Sequence, residues 1–174
     1  MLQFFCFLRF GGETDESSDA KEHNHSEETP KVEQNILECI LSVRCDTIFD
    51  NISQFDKEKV TILPPDGVIF PKTKVVFYEG ESIFNVLTRE LKKNKIQFDF
   101  GNTPMYNTIY IKGIFNIYEH DCGELSGWMY KVNGWFPNYG CSRYQLKAGD
   151  EIEWVYTCDL GNDVGGYSKQ QKDE

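Results

Sequence analysis

The sequence predicts an α+β domain, a mostly antiparallel sheet crossed by one main helix, and three observations carry that expectation. One segment, residues 83–93, repeats apolar side chains at helical spacing, several others alternate with the period of a strand, and Asn133-Gly134 is a strong hairpin signal.

Taken in order, residues 39–45 (CILSVRC) place Cys39, Leu41, Val43 and Cys45 on one side and Ile40, Ser42 and Arg44 on the other, as a half-buried strand does. DTIFDNISQF follows, with Ile48, Ile52 and Phe55 spaced for a helical turn or two. ILPPDG is a loop: Pro64 and Pro65 block both helix and ladder, and Asp66-Gly67 suits a tight turn. KVVFY is a strand ahead of Glu79-Gly80.

The main helix runs from about Ile83 to Lys93. Ser82 is placed to cap its free amides, Ile83, Val86, Leu87 and Leu91 form its apolar face, and Lys92 and Lys93 meet the negative end of the dipole. Asn94 is expected to close it in the left-handed conformation. Beyond it the pattern is β throughout: IQFDF, then TIYIKGIFNIYE broken at Gly113, then SGWMYKVNGWFPN. A type I′ turn at Asn133-Gly134 would pair Val132 with Trp135 and Tyr130 with Pro137, so that Trp128, Tyr130, Val132 and Trp135 share a face. LKAGDEIEWVYTC closes the domain, with Ile152, Trp154, Tyr156 and Cys158 alternating with Glu151, Glu153, Val155 and Thr157. No internal repeat is visible.

The length of 174 residues accommodates one domain with chain to spare. A composition of 40% hydrophobic and 26% charged residues disfavours fully disordered, fibrous or membrane-spanning chains. The net charge of -10 repels phosphate backbones, which argues against a nucleic-acid partner. Residues 13–34 hold eight acidic residues against two lysines and no large apolar residue except Val32, a composition expected to form a disordered tether. His23 and His25, beside Glu22 and Glu27, are borderline-metal donors in type, but histidines in a polar tail are usually just solvated, and no metal is assigned.

MLQFFCFLRFGG precedes the tether and is far shorter than the roughly 20 residues a membrane span needs. It lacks the basic start and small-residue cleavage site of a complete secretory signal, and Phe4 and Phe5 stand where a lipid-anchored Cys6 would need small neighbours. Three readings remain: the end of a signal that starts upstream, a crude N-terminal anchor, or a fraying peptide. Apolar segment, polar tether and folded domain in that order are the layout of a surface-displayed protein, which favours the first reading and an extracellular or cell-surface location. The expected division is an apolar N-terminal segment over 1–12, an acidic tether over 13–36, the folded domain over 37–165 and a polar tail over 166–174.

Six cysteines are many for a reducing compartment, and they allow fifteen pairings among which the sequence cannot choose. Cys39 and Cys45 cannot pair across one extended strand, since six residues span about 20 Å. With no CxxC spacing and no histidine pairs near the cysteines, a zinc site is improbable, and buried free thiols with at most one bridge are expected.

For catalysis the candidate pair is His120 and Cys122 in EHDCG, whose side chains would face the same way on an extended segment. Glu119 and Asp121 beside them would raise the thiol pKa, and no nucleophile elbow, phosphate loop or dinucleotide fingerprint occurs. The domain is therefore expected not to be an enzyme. What stands out is aromatic density between Tyr106 and Tyr156. Trp128 and Trp154 sit centrally in alternating strands and read as core. Trp135, Phe136 and Tyr139 lie near a turn and a loop, where packing is less forced, and a flat ligand would meet them.

The run from YIKGIFN through GWMYKVNG and SRYQLKAGD to EIEWVY, with the helix after EGES, resembles the C-terminal domain of the transcobalamin and intrinsic factor family, in the single-domain version of bacterial surface proteins. The resemblance covers about residues 37–164. It implies a β-grasp-like domain and a non-catalytic, exported ligand-binding module. The implied ligand is a corrinoid or similar flat amphipathic molecule lying against Trp135, Phe136, Asn138, Tyr139 and Tyr144. In the vitamin-carrying relatives a helical barrel completes the clamp, and nothing before Leu37 could form one here, so any solo affinity should be modest and a partner protein is expected. No resident cofactor is implied. The alternative is a structural or adhesive surface domain that binds protein or glycan and has no small-molecule site.

Overall fold

The computed structural model describes residues 35–103 and 108–166. The apolar segment, nearly all of the tether and of the polar tail, His23, His25, Cys6 and Tyr106 lie outside them.

Strand β1 (Ile36–Arg44) lies parallel to β7 (Glu151–Thr157) at the centre of a four-stranded sheet. β2 (Val68–Tyr78) flanks β1 and β6 (Gly127–Val132) flanks β7, both antiparallel, giving the order β2-β1-β7-β6. A second, antiparallel sheet comprises β3 (Phe98–Thr103), β4 (Thr108–Ile114) and β5 (Ile117–Tyr118). Helix α1 (Thr47–Asp50) is a single turn, and α2 (Ile83–Lys93) is the one long helix among the described residues. A parallel central pair with antiparallel flanks and one packed helix is the expected α+β, β-grasp-like arrangement.

Alternation in β1 holds: Cys39, Leu41, Val43 and Cys45 are buried, while Ile40, Ser42 and Arg44 are half-buried. The strand begins at Ile36, inside the expected tether. β2 is longer than KVVFY and starts at Val68, because it is an edge strand that tolerates Pro71. The register slips there: Leu41 faces Thr73 and Val43 faces Phe70, leaving Pro71 and Lys72 opposite Ser42 alone.

Helix α2 has the expected bounds and a reciprocal cap, in which the Asn85 N–H donates to Ser82 Oγ at 3.3 Å and the Ser82 N–H donates to Asn85 Oδ1 at 2.9 Å. Ile83, Val86, Leu87 and Leu91 are fully buried against the sheet, each contributing about 1.5–3 kcal/mol. Arg89 ties the helix to the edge strand, pairing with Glu81 at 2.5 Å and donating to the Val76 carbonyl at 2.5 Å. The left-handed residue that ends α2 is Lys95 (φ 58°); Asn94 stays at φ -90° and donates its side-chain amide to the Glu90 carbonyl.

Two turns differ from expectation. The break after β4 falls at Phe115 and Asn116, both left-handed (φ 56° and 59°), while Gly113 lies within the strand. The glycine is required there because a Cβ would come within 2.7 Å of the ring of its cross-strand partner Tyr118. At Asn133 and Gly134 (φ 51° and 79°) the expected turn forms, and Val132 and Trp135 exchange hydrogen bonds of 2.8 and 3.0 Å. It goes no further: Tyr130 pairs with Trp154 of β7, since Pro137 has no N–H for a ladder. Trp135 is 41% exposed and outside the core that holds Tyr130 and Val132.

The main core joins β1, β2, α2, β4, β6 and β7. A smaller one gathers Cys45, Ile48, Phe55, Ile117, Cys122 and Tyr156 under α1. Val155 and Thr157 are buried as well, so the end of β7 is covered on both faces. Thr157 is held there by hydrogen bonds to the Asp163 carboxylate and the Gly161 N–H.

Candidate binding groove

Asp150, 5% exposed, organises the loops that carry the aromatic residues. Its carboxylate accepts from the Lys147 N–H at 2.9 Å, the Tyr144 hydroxyl at 3.2 Å and the Asn133 side-chain amide at 2.9 Å. Asn133 Oδ1 in turn accepts from the Glu151 N–H at 2.9 Å. One carboxylate thus joins the LKAGD turn to the Asn-Gly turn and orients Tyr144, whose hydroxyl pKa is pushed up to about 12, first by burial and then by Asp150.

The five expected ligand residues separate into three places. Tyr139 and Tyr144 stack, with centroids 6.3 Å apart and planes at 12°, and the Tyr139 carbonyl accepts from the Tyr130 hydroxyl at 2.6 Å. Trp135 stands at the end of the hairpin turn. Phe136 and Asn138 line a groove of about 470 Å³, with Lys131 Nζ 5.2 Å from the Phe136 ring.

Residues that sequence reasoning missed complete that groove: Leu125, Met129, Thr157 and Leu160, with Ser126, Trp128 and Pro137. Leu125 and Leu160 are 46% and 54% exposed, and the Leu160 N–H donates to the Leu125 carbonyl at 3.0 Å. Leu160 is left-handed (φ 47°), an uncommon conformation for a bulky residue. Isolated leucines in the polar stretches GELSG and CDLGN were the available signal.

Trp128, Met129 and Pro137 also wall a second, smaller pocket of about 180 Å³ that opens to solvent, lined further by Tyr110, Ile111, Tyr130, Cys141 and Trp154. Trp154 Nε1 is buried and finds no acceptor among the described residues. Neither lining contains Asp, Glu, His, Lys or Arg. Burial pushes the Cys141 thiol up to about 12, which makes it a poor nucleophile. The chemistry on offer is apolar contact with a few fixed polar groups.

His120 and Cys122 do not face the same way. His120 is left-handed (φ 70°) and exposed, with Nδ1 3.1 Å from the Glu124 carbonyl oxygen, whereas Cys122 is buried and its sulfur meets the Asn51 carbonyl at 3.5 Å. The Cys122 pKa is raised, chiefly by burial, with Asp163 and Asp121 adding to it and a hydrogen bond from Cys158 opposing it. Among the described residues no group of three or more His, Cys, Asp or Glu side chains is arranged to hold a metal, and no helix is long and apolar enough to cross a membrane.

Residues 80–158 match a family described as a domain of unknown function, DUF4430. Among solved structures the chain is similar to haptocorrin in complex with Cbi, at 18% identity and TM-score 0.52 over 73% of this chain and 26% of that one. It also matches a protein from Ruminococcus gnavus described as metal binding, at 15% identity and TM-score 0.40, over 70% of this chain and 96% of that one. No curated protein matches. The chain thus spans about a quarter of haptocorrin's length, and at this identity the likeness is one of fold.

Proposed function

We propose that the domain is a non-catalytic, exported binding module that takes a flat amphipathic ligand, a corrinoid foremost, on the groove between Leu125, Phe136 and Leu160. The observation that carries this reading is an apolar groove adjoining a second, smaller pocket through the shared residues Trp128, Met129 and Pro137. Apolar walls with a few polar groups are what small-molecule sites present, and here the exposed polar side chain on the groove is Asn138, with the buried, unsatisfied Trp154 indole N–H in the wall of the adjoining pocket. The shared fold with haptocorrin, solved with Cbi, supports the choice of corrinoid. The open groove covers one face of such a ligand, so affinity is modest and a partner covers the other face. The stacked Tyr139 and Tyr144 are placed for that partner's contact.

Titration of a corrinoid with the purified protein tests this through the ligand's visible absorbance. A saturable spectral shift that weakens at least tenfold in Phe136→Ala and Leu160→Ala is expected. An unchanged spectrum up to millimolar protein overturns the corrinoid reading and leaves the adhesive, protein- or glycan-binding alternative.

A further inference from the structure

All five described cysteines are free thiols in this structure, yet one pair is set apart. Cys158 packs on the small cluster under α1 that contains Cys122, and each of the two thiols acts on the other's titration as a side-chain hydrogen-bond partner. Cys39 and Cys141 belong to the main core, and Cys45, which shares the small cluster, acts on neither of these two thiols. The backbone is pinned at both positions. The Cys122 N–H donates to Ser126 Oγ at 3.0 Å, and the Cys158 N–H donates to Asp163 Oδ2 at 2.7 Å. Neighbouring thiols on held backbones need little movement to reach bonding geometry.

We propose that Cys122 and Cys158 are a redox modification site, closing to a disulfide with a low-molecular-weight disulfide such as oxidised glutathione as the oxidant. Cys158 is half-buried and is the sulfur an oxidant reaches; Cys122 is 1% exposed. The Cys158 thiolate attacks the small disulfide and expels one thiolate. The Cys122 thiolate then attacks Cys158 Sγ in the mixed disulfide and expels the second. Two Cys–SH and one small disulfide become one protein disulfide and two small thiols, with the two thiol protons passing to the leaving thiolates.

The bridge has a structural consequence. Cys122 stands three residues before Leu125 and Cys158 two before Leu160, so the bond clamps together the two loops that form the groove's lip. It also closes a loop of roughly 37 residues, which multiplies the folded-to-unfolded ratio on the order of 500-fold. Because burial holds both thiols in the protonated form, closure is slow at neutral pH and accelerates as pH rises.

The test is incubation of the full-length native protein with oxidised glutathione, followed by thiol counting in denaturant and non-reducing tryptic mapping. Loss of two of the six thiols is expected, with peptide 113–131, which holds only Cys122, joined to peptide 148–169, which holds only Cys158. In Cys158→Ser the thiols should persist beyond any glutathione adduct, and the oxidised wild type should melt higher than the reduced one. Six thiols remaining after prolonged alkaline incubation, or a linkage from Cys122 to Cys45 or Cys141, overturns the assignment whatever the variant does.

Discussion

Replacing Asp150 by alanine removes one acceptor from three donors at once: the Lys147 N–H, the Tyr144 hydroxyl and the Asn133 amide. A hydrogen bond to a charged acceptor contributes about 1.5–3 kcal/mol net. Asn133 is exposed and Tyr144 half-buried, so water can recover part of two of them, and the low end of the range applies. The sum is a loss of about 3–4 kcal/mol, a large share of the 5–15 kcal/mol typical of a folded domain. For a domain of this size that is a fall of roughly 10–15 °C in Tm. Urea unfolding followed by tryptophan fluorescence, with thermal melts by circular dichroism, measures both quantities. Asp159→Ala is the control, since its exposed carboxylate receives only the Asn162 amide at 3.3 Å and its loss should stay within about 0.5 kcal/mol. Asp150→Asn keeps the volume and one acceptor oxygen and should fall between the two. A loss below about 1 kcal/mol for Asp150→Ala would refute the claim that this carboxylate holds the two turns together.

Two further outcomes follow from the packing and the buried thiols. Gly113→Ala should cost about 1–3 kcal/mol, because the new methyl meets the Tyr118 ring, and the penalty should shrink when Tyr118→Ala is added; equal penalties in a double-mutant cycle contradict the contact. Folding stability should fall in alkali: burial raises Cys39 from 9.0 to about 11 and Cys45 from 9.0 to about 12. Between those values the unfolded thiol is ionised and the folded one is not, so each group removes about 1.4 kcal/mol per pH unit, starting near pH 9 and ending near its folded pKa. Chemical denaturation from pH 8 to 11 reads the slope, and Cys45→Ala should flatten it; an unchanged slope rejects the burial argument.

Fold class was legible because periodicity is local. The spacing of Ile83, Val86, Leu87 and Leu91 and the cap at Ser82 define α2 without reference to the rest of the chain, and the alternation of β1 and β7 fixes which side chains face inward. The turn at Asn133-Gly134 was legible for the same reason. The break after β4 was not, since Gly113 serves a cross-strand ring and Phe115, an unlikely left-handed residue by type, makes the turn.

The site divides along the same line. Aromatic composition and turn position marked Phe136, and the ligand implied by the resemblance added Asn138, and both line the groove; these signals could not mark Leu125 and Leu160, which lie 35 positions apart in sequence and meet only because β6 and β7 pair. Nor could they separate Tyr139 and Tyr144 from the groove, or choose Cys122 and Cys158 among fifteen pairings. Local hydrogen bonding and side-chain period are written in neighbouring residues, so the sequence by itself determined the elements and their buried faces. Which distant loops come within van der Waals reach depends on how the sheets close over the core, and that the tertiary structure alone decided.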